Sequence, residues 1–194
     1  INEDFTSDLG FIPRKDIFKI GNSVTRTFYP SSSVINSNSF RLLSLRWLRP
    51  SLDLQQTDYE NRFTWTAAFK NNSELEASLS NNYIFLLNDF DPTRTPGGVP
   101  LPGNESYTFN QFVGSYQSNL ANLFTYNFVT TLGEFYSGNI FSFGGEVAYR
   151  LQPWATFGVA VNYDGIRLAD PHSDANLWLF TPKADITFSK SLFW

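Results

Sequence analysis

The chain has 194 residues, 14 Lys+Arg against 18 Asp+Glu, and a formal net charge of −4. It has no Cys and no Met, 42% hydrophobic residues, and 20 Phe, 9 Tyr and 5 Trp. The length suits one domain with a sizeable core. The lack of Cys excludes a disulfide scaffold, a thiolate nucleophile and a Cys-ligated metal, and the mild acidity argues against a nucleic-acid binder, which needs a basic face. No window of about 18 residues is continuously apolar, which excludes a transmembrane helix. There is no start Met and no signal peptide, so the sequence reads as a mature product or as a piece of a longer chain.

Residues 1–16 read as an N-terminal loop segment, and 17–194 as one β domain. Helical spacing of apolar residues is scarce, whereas period-two alternation is frequent. About nine strands are predicted, at 17–29, 40–54, 58–70, 74–87, 107–118, 122–132, 139–151, 155–167 and 176–189. In the third, Tyr59, Phe63, Trp65, Ala67 and Phe69 share one face, and Glu60, Arg62, Thr64, Thr66 and Lys70 the other. In the fourth, Leu75, Ala77, Leu79, Tyr83, Phe85 and Leu87 oppose Glu74, Glu76, Ser78, Ser80 and Asn82. In the seventh, Phe141, Phe143, Val147, Tyr149 and Leu151 oppose Ser142, Glu146 and Arg150; in the ninth, Trp178, Phe180, Ala184, Ile186 and Phe188 oppose Lys183, Asp185, Thr187 and Ser189. The second and fifth strands stay ambiguous in phase. Matching faces across turns predicts a loop at 71–73, with Lys70 opposite Glu74 and Trp65 opposite Leu79. It also predicts a loop at 152–154, with Leu151 opposite Ala155.

Two features point to a membrane sheet. The predicted strands run about 11 to 15 residues, against a usual mode of about 5–6 in soluble domains and about 9–11 for a tilted membrane-crossing strand. Tight connections at 71–73, 119–121 and 152–154 alternate with longer ones at 88–106, 133–138 and 168–175, as in outer-membrane barrels. The alternation fails earlier, where 30–39 is long and 55–57 short. Aromatics gather near strand ends as an interfacial girdle would: Phe28, Tyr29, Tyr83, Phe85, Tyr107, Phe109, Phe135, Tyr136, Trp154, Trp178 and Phe180. Nine strands is an odd number for a bacterial barrel, and an open sheet leaves edges unpaired in lipid, so a segment of a larger barrel, or a miscount by one, is expected. Leu192-Phe193-Trp194 reads as the start of a tenth strand.

Several segments, in order, resemble one family of Gram-negative outer-membrane proteins of unknown function. They are Leu9–Arg14 (LGFIPR), Thr27–Pro30 (TFYP), Ser73–Leu79 (SELEASL), Gly133–Gly138 (GEFYSG) and Pro182–Phe188 (PKADITF). Members of that family pair an N-terminal β-sandwich, similar to family-nine carbohydrate-binding modules, with a long C-terminal barrel. The resemblance implies a later part of that barrel, with the module and the earlier strands lying outside this chain. It implies no catalytic residues.

The search for chemistry yields little. The single His172 lies in Asp170-Pro171-His172-Ser173-Asp174, where a metal site or a triad would need further partners; Asx residues around Pro are ordinary turn formers. Glu74 and Glu76, about 6.6 Å apart on one strand face by the rise per residue, could be a glycosidase pair. A hydrated charge network with Glu60, Arg62 and Lys70 explains them better. The loop 88–106 has four Pro and the Gly97-Gly98 pair but not the ending of a phosphate loop. It is expected outside, with 168–175, governing access.

The expected fold is therefore all-β, an antiparallel meander of about nine long strands forming part of a transmembrane outer-membrane β-barrel. Lumen-facing candidates are Glu60, Arg62, Lys70, Glu74, Glu76, Glu146, Arg150, Lys183 and Asp185. Lipid-facing candidates are Phe63, Trp65, Phe69, Leu75, Leu79, Phe143, Val147, Tyr149, Phe157, Val159, Trp178, Phe180, Ile186 and Phe188. The expected function is non-enzymatic: a pore, an uptake component or a structural subunit of an envelope complex, with a glycan-related role suggested by the resemblance. Expected partners are outer-membrane lipid, other envelope proteins and glycan, without cofactor, metal or nucleic acid. The alternatives are a soluble secreted β-sandwich carbohydrate-binding module and a barrel-embedded hydrolase.

Overall fold

The computed structural model describes residues 16–189 and 192–193. Nine long strands follow one another as Phe18–Phe28 (β1), Ile35–Arg49 (β2), Gln55–Phe69 (β3), Glu74–Leu86 (β4), Glu105–Gln117 (β5), Phe124–Phe135 (β6), Gly138–Leu151 (β7), Ala155–Arg167 (β8) and Ala175–Ser189 (β9). A short tenth, Leu192–Phe193 (β10), pairs with β9. Every neighbour in the sheet is the neighbour in sequence, and every pairing is antiparallel. The result is one open meander of the predicted class.

The registers carry the period-two pattern across the whole sheet. Val24, Leu42, Phe63, Leu79, Phe112, Leu132 and Phe141 stand directly opposite one another from β1 to β7. One step along the same face, Phe143, Tyr163 and Trp178 align on β7 to β9. On the other face Thr25, Arg41, Thr64, Ser78, Val113, Thr131, Ser142 and Asp164 form the matching row. Side chains two apart share a face, so one face is largely apolar and the other largely polar.

The apolar face is the exposed one. Val24, Leu42 and Leu79 are 72%, 61% and 60% exposed, whereas Thr64 and Ser78 on the polar face are 9% and 4% exposed. Side chains converge on the inner side of a curved sheet and splay on the outer side. The asymmetry is that of a sheet curled toward its polar face. A water-soluble sheet has the reverse arrangement, with its apolar side covered.

Several expectations are corrected. β2 runs over Ile35–Arg49 and not 40–54. It ends before Pro50, which has no N–H for the ladder and instead opens a 3-10 turn, Pro50–Leu52. Its Asn/Ser-rich start pairs because its polar side chains find partners on both neighbours. Thr27 Oγ1 lies 2.8 Å from Ser39 Oγ, and Trp65 Nε1 donates to Asn38 Oδ1 at 3.1 Å. The β3–β4 register differs by two residues: Phe63 faces Leu79, Trp65 faces Ala77 and Ala68 faces Glu74. Asn72, at φ 61°, takes the left-handed position, and its N–H donates to the Phe69 carbonyl, so the turn forms one residue earlier than 71–73. A shift of two keeps the faces. The second hairpin pairs Leu151 with Ala155 and Tyr149 with Phe157, as predicted.

The alternation of short and long connections also needs correction. The connection expected at 133–138 is only 136–137, while that expected at 119–121 spans 118–123. Gly133 explains the first difference. At φ 143° a Cβ there would lie 2.4 Å from the Asn110 carbonyl oxygen. Gly133 is the last residue of β6 to pair with β5, and residues 134–135 run on as strand paired with β7 alone. Among the connections at that end of the sheet in the described residues, 87–104 is the one long excursion. Trp194 and the motif at 9–14 lie outside the described residues.

The register has a direct test. The protein has no native Cys, and directly opposed residues have Cβ atoms about 4.5–5.5 Å apart. Mild oxidation should cross-link Phe63→Cys with Leu79→Cys efficiently and Trp65→Cys with Leu79→Cys poorly, read by mass spectrometry. The reverse order would restore the sequence-derived register.

Candidate functional site: a polar face with a capped end

The registers place Glu60, Arg62, Glu74, Glu76, Glu146, Arg150, Lys183 and Asp185 on the polar face, because each is an even number of residues, or a direct pairing, from the row through Thr64 and Ser142. Arg62 Nη2 lies 2.5 Å from Glu60 Oε1, two positions away on β3. Lys183 Nζ lies 3.2 Å from Asp185 Oδ2, with both side chains more than half exposed. Such a pair contributes about 0–1 kcal/mol, so these charges tune a wet surface more than they hold the fold. Glu74 and Glu76 face Ala68 and Thr66 on β3, and Gln117 and Ser115 on β5. Lys70 is the exception among the candidates: it sits in the β3–β4 turn, exposed, and not opposite Glu74.

The other candidate set lies on the opposite face. Phe63, Trp65, Phe69, Leu75, Leu79, Phe143, Val147, Tyr149, Phe157, Val159, Trp178, Phe180 and Ile186 all share the parity of the exposed apolar row. The side chain of Phe188 lies outside the described residues.

One end of the polar face is capped. The loop 87–104 folds on itself through a Phe90–Leu101 bridge, and Leu101 is fully buried. Phe90, Tyr107, Phe109, Phe135 and Tyr136 form a ring cluster with centroids 4.7–6.0 Å apart. This corrects the girdle expectation for Tyr107, Phe109, Phe135 and Tyr136. Phe109 stands opposite Asn82, on the polar side of the sheet, and it is buried against Phe135 and Tyr136. Asp91 fixes the loop's first turn: its Oδ1 accepts from Thr93 N–H at 2.8 Å and Thr93 Oγ1–H at 2.6 Å, and its Oδ2 from Thr95 N–H at 3.2 Å. The Thr93 hydroxyl bond, with the backbone donors, holds the Asp91 carboxyl below its ordinary value of 3.8.

A second loop, 168–174, closes against the first. His172 Nδ1 lies 3.1 Å from the Val99 carbonyl oxygen. Asp174 Oδ2 lies 3.5 Å from Arg167 Nε, and Asp174 Oδ1 accepts from Leu168 N–H at 3.2 Å. His172 and Asp174 thus hold loop to loop and loop to strand, which is turn and docking geometry.

The apolar face carries one polar row that the sequence reading passed over: Asn22, Ser44, Asn61, Asn81 and Asn110, directly opposed from β1 to β5. Its members bond to one another and to their neighbours. Ser44 Oγ donates to Asn61 Oδ1 at 3.1 Å and Arg46 Nη1 to the same oxygen at 3.0 Å. Asn81 Nδ2 donates to Asn110 Oδ1 at 2.9 Å, and Asn110 N–H to Glu134 Oε2 at 2.8 Å. The signal was present as a break in the alternation at Asn61 and Asn81. It becomes a row only once the register is known.

Compared with known proteins, the chain matches no family model, no curated protein and no solved structure.

The loop supports a pH prediction. A carboxyl with a depressed pKa contributes stability in full above its unfolded value and loses it as pH falls through the folded value. Amide exchange at Thr93 and Thr95 should stay slow down to about pH 4 and accelerate below it, beyond the intrinsic trend. Asp91→Ala should show the fast exchange already at neutral pH. Equal exchange in both proteins would remove Asp91 from this role.

Proposed function

We propose that the chain is a segment of a transmembrane β-barrel in the outer membrane of a Gram-negative bacterium, acting without catalysis as a pore, an uptake component or a structural subunit of an envelope complex. The observation that carries this is the inverted sheet: large apolar side chains lie on the splayed, exposed face, and small polar ones on the sheltered face. Burying a Leu, Val or Phe side chain contributes about 1.5–3 kcal/mol. A face with this many of them is stable only when something other than water covers it. Lipid covers it in a barrel, while the polar face lines a wet lumen. A β-sandwich would need a second sheet over that face, and the described strands form one sheet.

Two further features support this. On β3 and β4 the apolar stretch ends at Phe69 and Leu75, whereas on β7 to β9 it runs on to Leu151, Ala155 and Ile186. A band that drifts diagonally across paired strands is what a tilt of about 35–45° produces. The polar row on that side bonds within itself between Ser44 and Asn61 and between Asn81 and Asn110, and outward to Arg46 and Glu134, which lowers the cost of amides near hydrocarbon. On this reading further barrel strands flank β1 and β10, since an open edge is not viable in lipid. The order of the resembling segments adds to the same reading and tilts it toward a glycan-related role.

Fractionation of the source cells tests the location: the protein should be found in the outer membrane and require detergent, and recovery from the soluble fraction without detergent would overturn the proposal. At residue level, Phe143→Arg should destabilise the folded protein in lipid by about 2–4 kcal/mol, the range for Arg on the lipid face near the midplane. Ser142→Arg, one residue along and facing the lumen, should cost less than about 1 kcal/mol. Equal losses would count against a lipid-facing Phe143.

A further inference from the structure

Beneath the capped end, the polar face holds a cleft of about 490 Å³, within the usual small-molecule range of about 300–1,000 Å³. Trp47, Asp58, Glu60, Asn82, Phe109 and Gln111 line it. They come from four neighbouring strands: Trp47 faces Asp58 across β2–β3, Glu60 faces Asn82 and Asn82 faces Phe109. Trp47, Asp58, Glu60, Asn82 and Gln111 are all half-buried, sheltered and still open to solvent.

Tyr59, Tyr83, Ile84 and Phe135 complete the lining, and its aromatic members are the unusual ones. A polar, water-facing surface has no need of a lipid anchor. Phe109 belongs to the core of the loop cap, but Trp47 stands on β2, away from that cluster. The charges around it balance. Asp58 and Glu60 bring two negatives, Arg62 lies on Glu60, and Lys19 Nζ sits 4.9 Å over the Trp47 ring. An anionic ligand would meet two carboxylates. A cationic one would be repelled by the Lys19 ammonium beside the ring. The two amides present both donors and acceptors. Asn82 Nδ2 donates to Ser80 Oγ at 3.0 Å and Gln111 Nε2 to the Glu134 carbonyl at 3.0 Å, so each amide carbonyl is aimed elsewhere.

We propose that this cleft binds a small neutral polyhydroxylated ring, a mono- or disaccharide, with a C–H face of the ring against Trp47 and its hydroxyls shared among Asp58, Glu60, Asn82 and Gln111. The proposal deepens the glycan-related part of the proposed function and rests on the polar face being open to water. Lipid on the opposite face is a separate question.

Isothermal titration of the intact protein in detergent tests it, with maltose and cellobiose as probes and glucose 6-phosphate and glucosamine as charged comparators. At least one neutral disaccharide should bind saturably, and more tightly than either charged sugar. Trp47→Ala should weaken that binding by about tenfold or more and Trp47→Phe by less, while Trp178→Ala, on the other face, leaves it within about twofold. Gln111→Leu should also weaken it by about tenfold, which guards against a folding defect peculiar to Trp47→Ala. The proposal is overturned by no saturable binding of either disaccharide below roughly 10 mM, by unchanged binding in Trp47→Ala and Gln111→Leu, or by tighter binding of a charged sugar. Failure of the barrel reading would look different. The protein would be soluble without detergent and Phe143→Arg would be harmless, with disaccharide binding intact.

Discussion

The whole structure depends on the segregation of side chains between two faces of one sheet. Strand periodicity sends alternate residues to opposite sides, and the registers, shifted only at two points between β2 and β3, align those residues from β1 to β9. Once aligned, Val24, Leu42, Phe63, Leu79 and Phe112 form a single apolar surface. Nothing in the described chain covers it. Each such side chain left in water forgoes about 1.5–3 kcal/mol, and native stability is only about 5–15 kcal/mol. A handful of uncovered residues would therefore match the full stability of an ordinary domain. The apolar surface is the constraint that any functional reading has to meet.

The strand class and the faces were legible because alternation is a local signal. The seventh, eighth and ninth strands were bounded to within a residue, and their two face sets hold in the structure. Features set by single backbone positions were less legible. Pro50 ended β2, Asn72 moved the β3–β4 turn and Gly133 ended the pairing of β6 with β5 while β6 ran on beside β7. Each is a choice between two allowed turns, settled by hydrogen bonds and close approaches that a sequence pattern does not display. The two-residue register difference leaves the parity of the β3 and β4 residues unchanged, while Lys70 falls in the turn.

The features least legible were those that need several strands at once. Asn61 and Asn81 look like isolated lapses in two alternating runs, yet they belong to one row across five strands. Trp47 lay on a strand whose phase the sequence left open, so its place beside Asp58, Glu60 and Gln111 was not visible. Phe109 and Phe135 passed for interfacial anchors because they sit near strand ends. The register turns them to the polar face, where Phe109 is buried against Phe135 and Tyr136. Together these corrections move the functional interest from the strand-end aromatics to the polar side, with its cap, its charges and its cleft.

The central claim is that one face of this sheet meets lipid and the other water. Single Cys substitutions along β7 from Phe141 to Leu151, each carrying a spin label in the protein reconstituted into liposomes, measure it residue by residue. The barrel reading predicts strict alternation: labels at 141, 143, 147, 149 and 151 relaxed by oxygen dissolved in the bilayer, and labels at 142, 146, 148 and 150 relaxed by a water-soluble nickel chelate. Labels that respond to the chelate at every position would contradict it.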